Sequence, residues 1–422
     1  MLRIPAAILA VASCTSIAQA QIATSPPVTS IESTFTLERA LTLAGGTSPS
    51  LTARTAGVEA ATAGRTVAGL RPNPTINAET ENVAGSGAYR GMRGSETTAG
   101  LAFAIELGGK RSARIGVADA QIDRAQIAAT IAKADLTLVV TQSYIEAAEA
   151  ERRLMIARDQ AALAGEGFRA ARVRVTEGAA SPLEEQRAEL LRINAQTALE
   201  RASRTAEVTR GNLARLIDQP LTGPLDMSWF ERIGGLGTMR PIGAEGTLVL
   251  AAATADARTA SAEVRLARSQ RMPDFTVSAG ARRLEATNDM AAVFSVSIPF
   301  PLFNNGTAAV AQARALETQA VAQRRMALIE TEREIATAQA ELANAAASAR
   351  DAGGPALSAA AEAARIARLG YAQGKFGQLD LLEAERTLAQ TRAEANDMLA
   401  AYHDAEARLV RLTAPAPVIG ER

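Results

Sequence analysis

The chain has 422 residues, and its 45 basic and 45 acidic side chains give a formal net charge of zero. This balance argues against a nucleic-acid-binding protein, for which a basic excess is expected. Aromatic residues make up only 3% of the chain, and its single histidine and single cysteine leave almost no soft ligands for a metal ion.

The first 20 residues are typical of an export signal, because a basic start at Arg3 precedes a short apolar run and a small-x-small site ending at Ala20. Cleavage there leaves Gln21 as the mature N-terminus. A second possibility stays open, since the run VASC resembles a lipoprotein box in which Cys14 is lipidated. No other stretch approaches the roughly 20 apolar residues of a spanning helix.

The rest of the chain contains one pattern twice, with a period of about 200 residues. Each copy predicts a lead-in helix, a strand, a loop, a second strand, a very long helix, a turn and a returning helix. The copies cover 35–219 and 244–413, and the intervening segment 220–243 is rich in proline and glycine, as linkers are.

Alternating apolar and polar residues predict four strands, near 75–83, 97–106, 275–283 and 292–300. Their length of about nine residues fits a membrane-spanning strand. Four strands cannot close a barrel, and open sheet edges are not stable in lipid. Either the strands form a soluble sheet, or several chains pool their strands; three chains would give twelve, a number compatible with a closed pore.

Four helices are predicted at 112–176, 182–217, 307–373 and 379–412, the third interrupted near Gly353-Gly354-Pro355. The first would extend about 96 Å at 1.5 Å per residue. An ordinary globular domain needs no such helix, whereas a conduit across the periplasm does. The fold class predicted is therefore mainly α with a small β part.

Two groups of residues mark the ends of these elements. In each copy, glycine ends the long helix and is followed by leucine five residues later and an acid six residues later. These turn residues are Gly178, Leu183, Glu184, Gly374, Leu379 and Asp380. Helix-to-strand switches are predicted at Pro72, Pro74 and Pro273, and strand-to-helix switches at Gly108, Gly109, Pro299, Pro301 and Gly306.

Five segments resemble the outer-membrane factor family, the TolC-like channels of tripartite efflux systems, and are especially similar to its cobalt–zinc–cadmium branch. The segments are RPNPTINAETEN (71–82), FAIELGGKRSAR (103–114), MPDFTVSAGAR (272–282), SIPFPLFNNG (297–306) and YAQGKFGQLDLLEAERTL (371–388). They occur in family order over most of the mature chain.

The resemblance implies a homotrimer in the outer membrane of a Gram-negative bacterium. Each chain would contribute four strands to a twelve-stranded barrel, and the helices would continue it as a tunnel through the periplasm. The tunnel would meet a periplasmic adaptor and an inner-membrane pump of the resistance–nodulation–division class. Outer-membrane lipid is then a partner, and nucleic acid is not.

The resemblance also implies functional residues at the periplasmic tip. Asp380 matches the first acid of a pore-constricting ring, and Glu383 matches the second, with Glu in place of Asp. Tyr371 matches a tyrosine that latches neighbouring helices, whereas Phe376 stands where the family's basic latch residue is expected. The turns at Gly178 and Gly374 would contact the adaptor. Asp380 and Glu383 have an alternative interpretation, as acids near a helix N-terminus that complement the helix dipole.

Other sites are not indicated. Gly108-Gly109-Lys110 fails as a phosphate loop because Ala104 stands where the motif needs glycine. His403 lies beside Asp404 on a charged helical face and is expected to be solvated. With no nucleophile–base constellation, the chain is predicted not to be an enzyme and to need no cofactor.

The leading hypothesis is a passive conduit that exports divalent heavy-metal cations. A conduit of the same type for drugs, solvents or secreted polypeptides stays open, because the pump selects the cargo. A different class, a periplasmic adaptor or coiled-coil interaction protein, would show one hairpin flanked by several β-domains instead of two copies of long helices.

Overall fold

A computed structural model describes residues 34–234 and 243–417. The predicted signal segment, with its two possible mature N-termini, and part of the predicted linker lie outside these ranges. Within them the chain is mainly helical, with one small sheet. Each half of the chain contains a helix, two strands and then two long helical segments, in that order.

The first half contains α1 (Leu37–Thr47), α2 (Pro49–Ala68), β1 (Thr75–Glu81), β2 (Glu96–Ile105), α3 (Lys110–Thr176), α4 (Pro182–Ile217) and the short α5 (Met227–Phe230). The second contains α6 (Leu248–Ser269), β3 (Phe275–Leu284), β4 (Asp289–Ser297), α7 (Thr307–Asp351), α8 (Leu357–Ala372) and α9 (Gln378–Leu412). A π-helical turn at Ala352–Ala356 joins α7 to α8 and accommodates Pro355, which cannot donate a backbone hydrogen bond.

The four strands form one antiparallel sheet in the order β1-β2-β3-β4. Phe103 pairs with Val277, which pairs with Val296, and together they form an apolar face. The other face is polar or small, and there the hydroxyls of Ser278 and Ser295 lie 2.7 Å apart. In the described part of one chain this apolar face is uncovered, and the outer edges of β1 and β4 have no strand beside them.

The helices next to the sheet keep the order of the strands. α2 contacts α3, α3 contacts α6, and α6 contacts α7. Ion pairs fasten the first two contacts, Arg65 to Asp119 at 2.5 Å and Arg124 to Asp256 at 2.6 Å. The sheet therefore continues into a helical wall, strand by helix.

Farther from the sheet, the wall consists of paired helices. α3 packs against α4 and α9, and α9 packs against α7 and α8. With 67 residues, α3 is about 100 Å long at 1.5 Å per residue. None of the helices in the described ranges combines the length and the apolarity needed to cross a bilayer.

The main hydrophobic core lies midway along α3, where α1 and α5 pack on one face of the wall. Tyr144 is fully buried there; its hydroxyl donates to the carbonyl of Phe35 at 2.7 Å and accepts from the amide of Asp226 at 3.0 Å. Burial is the main cause that raises the pKa of Tyr144 to about 12. This tyrosine joins the N-terminal segment and the segment before α5 to the long helix.

The expectation that His403 is solvated is wrong, because its side chain is only 3% exposed. The ring stacks on Trp229 with centroids 4.4 Å apart, and its Nε2 donates to the carbonyl of Phe230 at 2.9 Å. Charged neighbours in the sequence suggested exposure. The residues that cover the ring lie about 170 positions earlier, and periodicity on α9 gives no sign of them.

Candidate functional site

The turns α3–α4 and α8–α9 have the same backbone construction. Gly178 and Gly374 adopt φ values of +72° and +68°, and a Cβ at either would meet nothing within 4 Å. In each turn the amide that follows this glycine donates to a carbonyl of the preceding helix at 2.8 Å, from Ala179 in the first and from Lys375 in the second. Glycine is favoured because the left-handed conformation strains other residues.

Glu184, at the start of α4, lies at the centre of a polar cluster that joins the two turns. Its carboxylate accepts a hydrogen bond from the hydroxyl of Tyr371, at the end of α8. The Nε of Arg174 lies 3.6 Å from the same carboxylate, and the Arg174 guanidinium is 4.9 Å from the centre of the Tyr371 ring. Gln378 donates to the backbone carbonyl of Glu184 at 3.0 Å. We call these four residues the tip cluster.

Tyr371 acts in this cluster as a neutral donor. Burial first, and then the hydrogen bond to the negative Glu184, raise the pKa of its hydroxyl to about 12. The phenol therefore keeps its proton at neutral pH. A charge-assisted hydrogen bond of this kind is stronger than one between two neutral groups.

Phe376 contacts Gly370 in the second turn instead of adding a charge to the tip cluster. A Cβ built on Gly370 would lie 2.0 Å from the Phe376 ring, so the ring rests directly against the glycine backbone. Here, in place of the basic residue implied by the resemblance, the chain has an aromatic contact within one turn.

Asp380 and Glu383 lie on the exposed surface of the first turns of α9, three residues apart and hence on adjoining positions of one face. One carboxylate oxygen of Asp380 accepts from the amide of Gly377 at 3.0 Å, which caps the helix. Leu183 and Leu379, at the equivalent positions of α4 and α9, are 55% and 63% exposed. The acid ring depends on three chains and stays a prediction.

Arg174 was not among the predicted site residues. Aligning the two turns on their glycines places Arg174 opposite Gly370, so the first turn carries a cation where the second has no side chain. That difference between the copies was a sign that a comparison of the turns could have detected.

The predicted switch residues lie between sheet and helices. Pro72 and Pro74 lie between α2 and β1, and Pro273 lies between α6 and β3. Gly108 and Gly109 have φ values of +72° and +71° and join β2 to α3. Between β4 and α7 lie Pro299, Pro301 and Gly306, the last with a φ of +74°.

Polar contacts hold this junction. Arg114 donates to the carbonyls of Ala68 and Leu70, at 3.2 and 3.1 Å, and to the carboxylate of Glu106 at 3.0 Å. Lys110 pairs with Asp274 at 2.7 Å, and Asp274 accepts from a backbone amide of the β2–α3 turn at 3.0 Å. These contacts fix the point at which strand gives way to helix.

In the described ranges, no group of three or more histidine, cysteine, aspartate or glutamate side chains is arranged to hold a metal ion.

Comparisons with known proteins agree with this architecture. The family model described as outer membrane efflux protein matches residues 40–218 and 245–414. The cobalt-zinc-cadmium resistance protein CzcC of Cupriavidus metallidurans is 31% identical over 390 residues, which cover 90% of each chain. The nickel and cobalt resistance protein CnrC of the same organism is 30% identical over 301 residues, 71% of this chain and 70% of CnrC.

Among solved structures, the outer membrane protein VceC of Vibrio cholerae matches with a TM-score of 0.73 and 20% identity, over 90% of this chain and 96% of VceC. The predicted resemblance, the mainly helical fold with a small sheet, and the outer-membrane location are confirmed. The chain belongs to the outer membrane efflux protein family.

Proposed function

We propose that three copies of this chain form the outer-membrane conduit of a tripartite efflux system that exports divalent heavy-metal cations. The observation that carries the proposal is the four-stranded sheet, which continues helix by helix into a wall and whose outer edges have no strand beside them in the described ranges. In lipid such edges need partners, and a closed ring of three sheets provides them.

The cargo follows from the relatives and from charge. CzcC and CnrC are named for resistance to cobalt, zinc, cadmium and nickel. In a three-fold assembly, Asp380 and Glu383 would each form a ring of three carboxylates, which favours cations over anions. Capping by Asp380 is compatible with this role, because the cap uses one oxygen of its carboxylate.

The partners are a periplasmic adaptor and an inner-membrane pump of the resistance–nodulation–division class. The exposed Leu183 and Leu379, beside the turns at Gly178 and Gly374, offer the adaptor apolar contacts at the tip. The pump supplies the energy and the chain acts as a passive conduit, without catalysis. The tip cluster holds the resting tip closed.

The two copies, 35–219 and 244–413, form the two halves of each subunit, with the segment 220–243 joining them. Each half contributes two adjacent strands and one pair of long helices. A wall of three subunits would therefore have six similar units around its axis, as the repetition in the sequence implies.

The test is growth of a strain lacking the gene on Zn²⁺, Co²⁺, Cd²⁺ and Ni²⁺ and, separately, on hydrophobic drugs. We expect sensitivity to the metals alone, restored by the wild-type gene. The double variant Asp380→Asn/Glu383→Gln should restore growth on metals less well than the control Glu332→Gln, which changes an exposed acid of α7. Sensitivity to drugs alone would overturn the metal cargo and keep the channel.

A further inference from the structure

An open groove of about 470 Å³ lies at the foot of the sheet, between the start of α3 and the end of α6. Among the described residues that line it are two arginines and no acid. The lining residues are Gly108, Gly109, Ser112, Ala113, Gly116, Arg265, Arg268 and Ser269. We call it the junction groove.

The two arginines are not neutralised by the described residues. Arg265 donates to the hydroxyl of Ser261 at 3.2 Å, and Arg268 has no side-chain partner among the described residues. Both are exposed. Arg268 also lies in the last turn of α6, where a cation complements the helix dipole. The helix dipole accounts for Arg268 at the end of α6. It does not account for a second arginine, Arg265, beside the same groove.

The segment that joins β4 to α7 lies close to the end of α6. Arg271 donates to the carbonyl of Asn305 at 3.3 Å, which ties the foot of α6 to the segment that joins β4 and α7. In that segment Phe300 and Phe303 are 85% and 98% exposed. Exposed apolar side chains mark surfaces that contact a membrane, and basic side chains are attracted to its anionic headgroups.

The groove opens on the outer face of the helical wall. Gly116 lies at heptad spacing from Thr130 and Thr137, which line a larger groove beside Leu37 and Trp229. The junction groove thus opens on the face that carries α1 and α5. Helices such as α1 and α5 would block a conduit if they lay inside it, so we place them on the outer face of the wall. This step rests on the proposed function.

We propose that the junction groove binds the phosphate of an anionic phospholipid headgroup from the periplasmic leaflet of the outer membrane. Arg265 and Arg268 pair with the phosphate oxygens, and the small residues of the β2–α3 turn let the headgroup approach the backbone. Phe300 and Phe303, exposed in the segment between β4 and α7, contact the acyl chains. The site orients the trimer and fixes its depth in the membrane.

The test is native mass spectrometry of the full-length assembly in neutral detergent, mixed with phosphatidylglycerol or with phosphatidylcholine. We expect preferential retention of phosphatidylglycerol. Loss of one arginine, in Arg268→Gln, should weaken retention about fivefold, and loss of both, in Arg265→Gln/Arg268→Gln, about thirtyfold. The charge-matched control Arg258→Gln/Arg325→Gln alters exposed arginines of α6 and α7 that do not line the groove, and it should retain the lipid as wild type does.

Three results would overturn the proposal: equal retention of the two lipids, wild-type retention by the groove variant, or displacement of phosphatidylglycerol by millimolar inorganic phosphate. The last would make the groove a site for a free anion. A change in ion selectivity of reconstituted channels, with lipid retention unaltered, would place the arginines inside the conduit. Lipid retention is measured without transport, so it can fail while metal export holds, and the reverse.

Discussion

The two turns of the wall share one backbone and differ in side chains. Where the first turn has Arg174 and Ala180, the second has Gly370 and Phe376. In the first, the large side chain precedes the glycine and reaches across to the other turn. In the second it follows the glycine and packs within its own turn. The backbone of a repeated turn is thus retained while its contacts become specialised.

The acids at the start of the returning helices differ in the same way. Glu184 is bound by Tyr371 of the other turn, whereas Asp380 caps its own helix. Glu184 is the more enclosed of the two, with a side chain only 16% exposed. The first turn therefore provides the carboxylate that joins the turns, whereas the carboxylate of the second turn is bonded within its own turn.

The largest effect is expected when the shared carboxylate is neutralised. Glu184→Gln removes the charge from the hydrogen bond with Tyr371 and from the ion pair with Arg174. A hydrogen bond to a charged group contributes about 1.5–3 kcal/mol. The open probability of the tip should rise about tenfold or more, measured by single-channel recording in planar bilayers. Glu189→Gln, which alters an ion pair within α4, is the control and should leave it unchanged. An unaltered open probability in Glu184→Gln would mean that the tip cluster does not hold the tip closed.

The next largest effect is expected from the contact between Gly370 and the Phe376 ring, which only the second turn has. Gly370→Ala places a methyl group against the Phe376 ring, and overpacking costs about 1–3 kcal/mol. Hydrogen exchange at the second turn should accelerate, and the double variant Gly370→Ala/Phe376→Ala should recover most of the protection. Gly167→Ala, on α3 with open space around it, should not accelerate exchange. Failure of the second substitution to restore protection would show that the ring contact is not the cause.

A smaller effect concerns the proton of Tyr371. Because its pKa is raised to about 12, the hydroxyl's contribution to stability is complete below its ordinary pKa of about 10 and is lost as the pH rises through about 12. Tyr371→Phe should remove one late-titrating tyrosine from an absorbance titration and raise the open probability less than Glu184→Gln. A tyrosine lost from the ordinary range near pH 10 would contradict the assignment.

The smallest effect tests the outer surface of the turns. Arg368 pairs with Glu385 across α8 and α9 at 2.8 Å, whereas Arg172, at the equivalent position, has no side-chain partner among the described residues. Arg368→Gln should lower the free energy of unfolding by about 0.2–1 kcal/mol, and the loss should be smaller at high salt. Arg172→Gln should leave the free energy of unfolding unchanged. Chemical unfolding followed by circular dichroism compares them. Equal losses would mean that the pair adds nothing.

Periodicity and turn chemistry predicted most of the fold. The alternating side chains over 275–283 predicted a strand, and the absence of proline over 112–176 predicted a long helix. Both signals depend only on residues that are close together in the sequence. Glycines at 178 and 374 likewise predicted turns, because few other residues adopt a positive φ without strain.

Contacts between distant segments were harder to predict. Glu184 and Tyr371 were both named from the sequence, but their bond joins residues 187 positions apart, and Arg174 was missed. The burial of His403 was missed for the same reason, as its cover comes from Trp229 and Phe230. Such contacts depend on how the helices are aligned against one another. The periodicity of a single sequence does not reveal that alignment.

The unpaired edges of β1 and β4 have a genetic consequence. If each barrel needs three sheets to close, a chain with a defective sheet harms the normal chains with which it assembles. A cell that makes both in equal amounts would contain about one in eight assemblies free of the defect, by random mixing. Mutations in the sheet should therefore be dominant, whereas loss of the whole gene should be recessive.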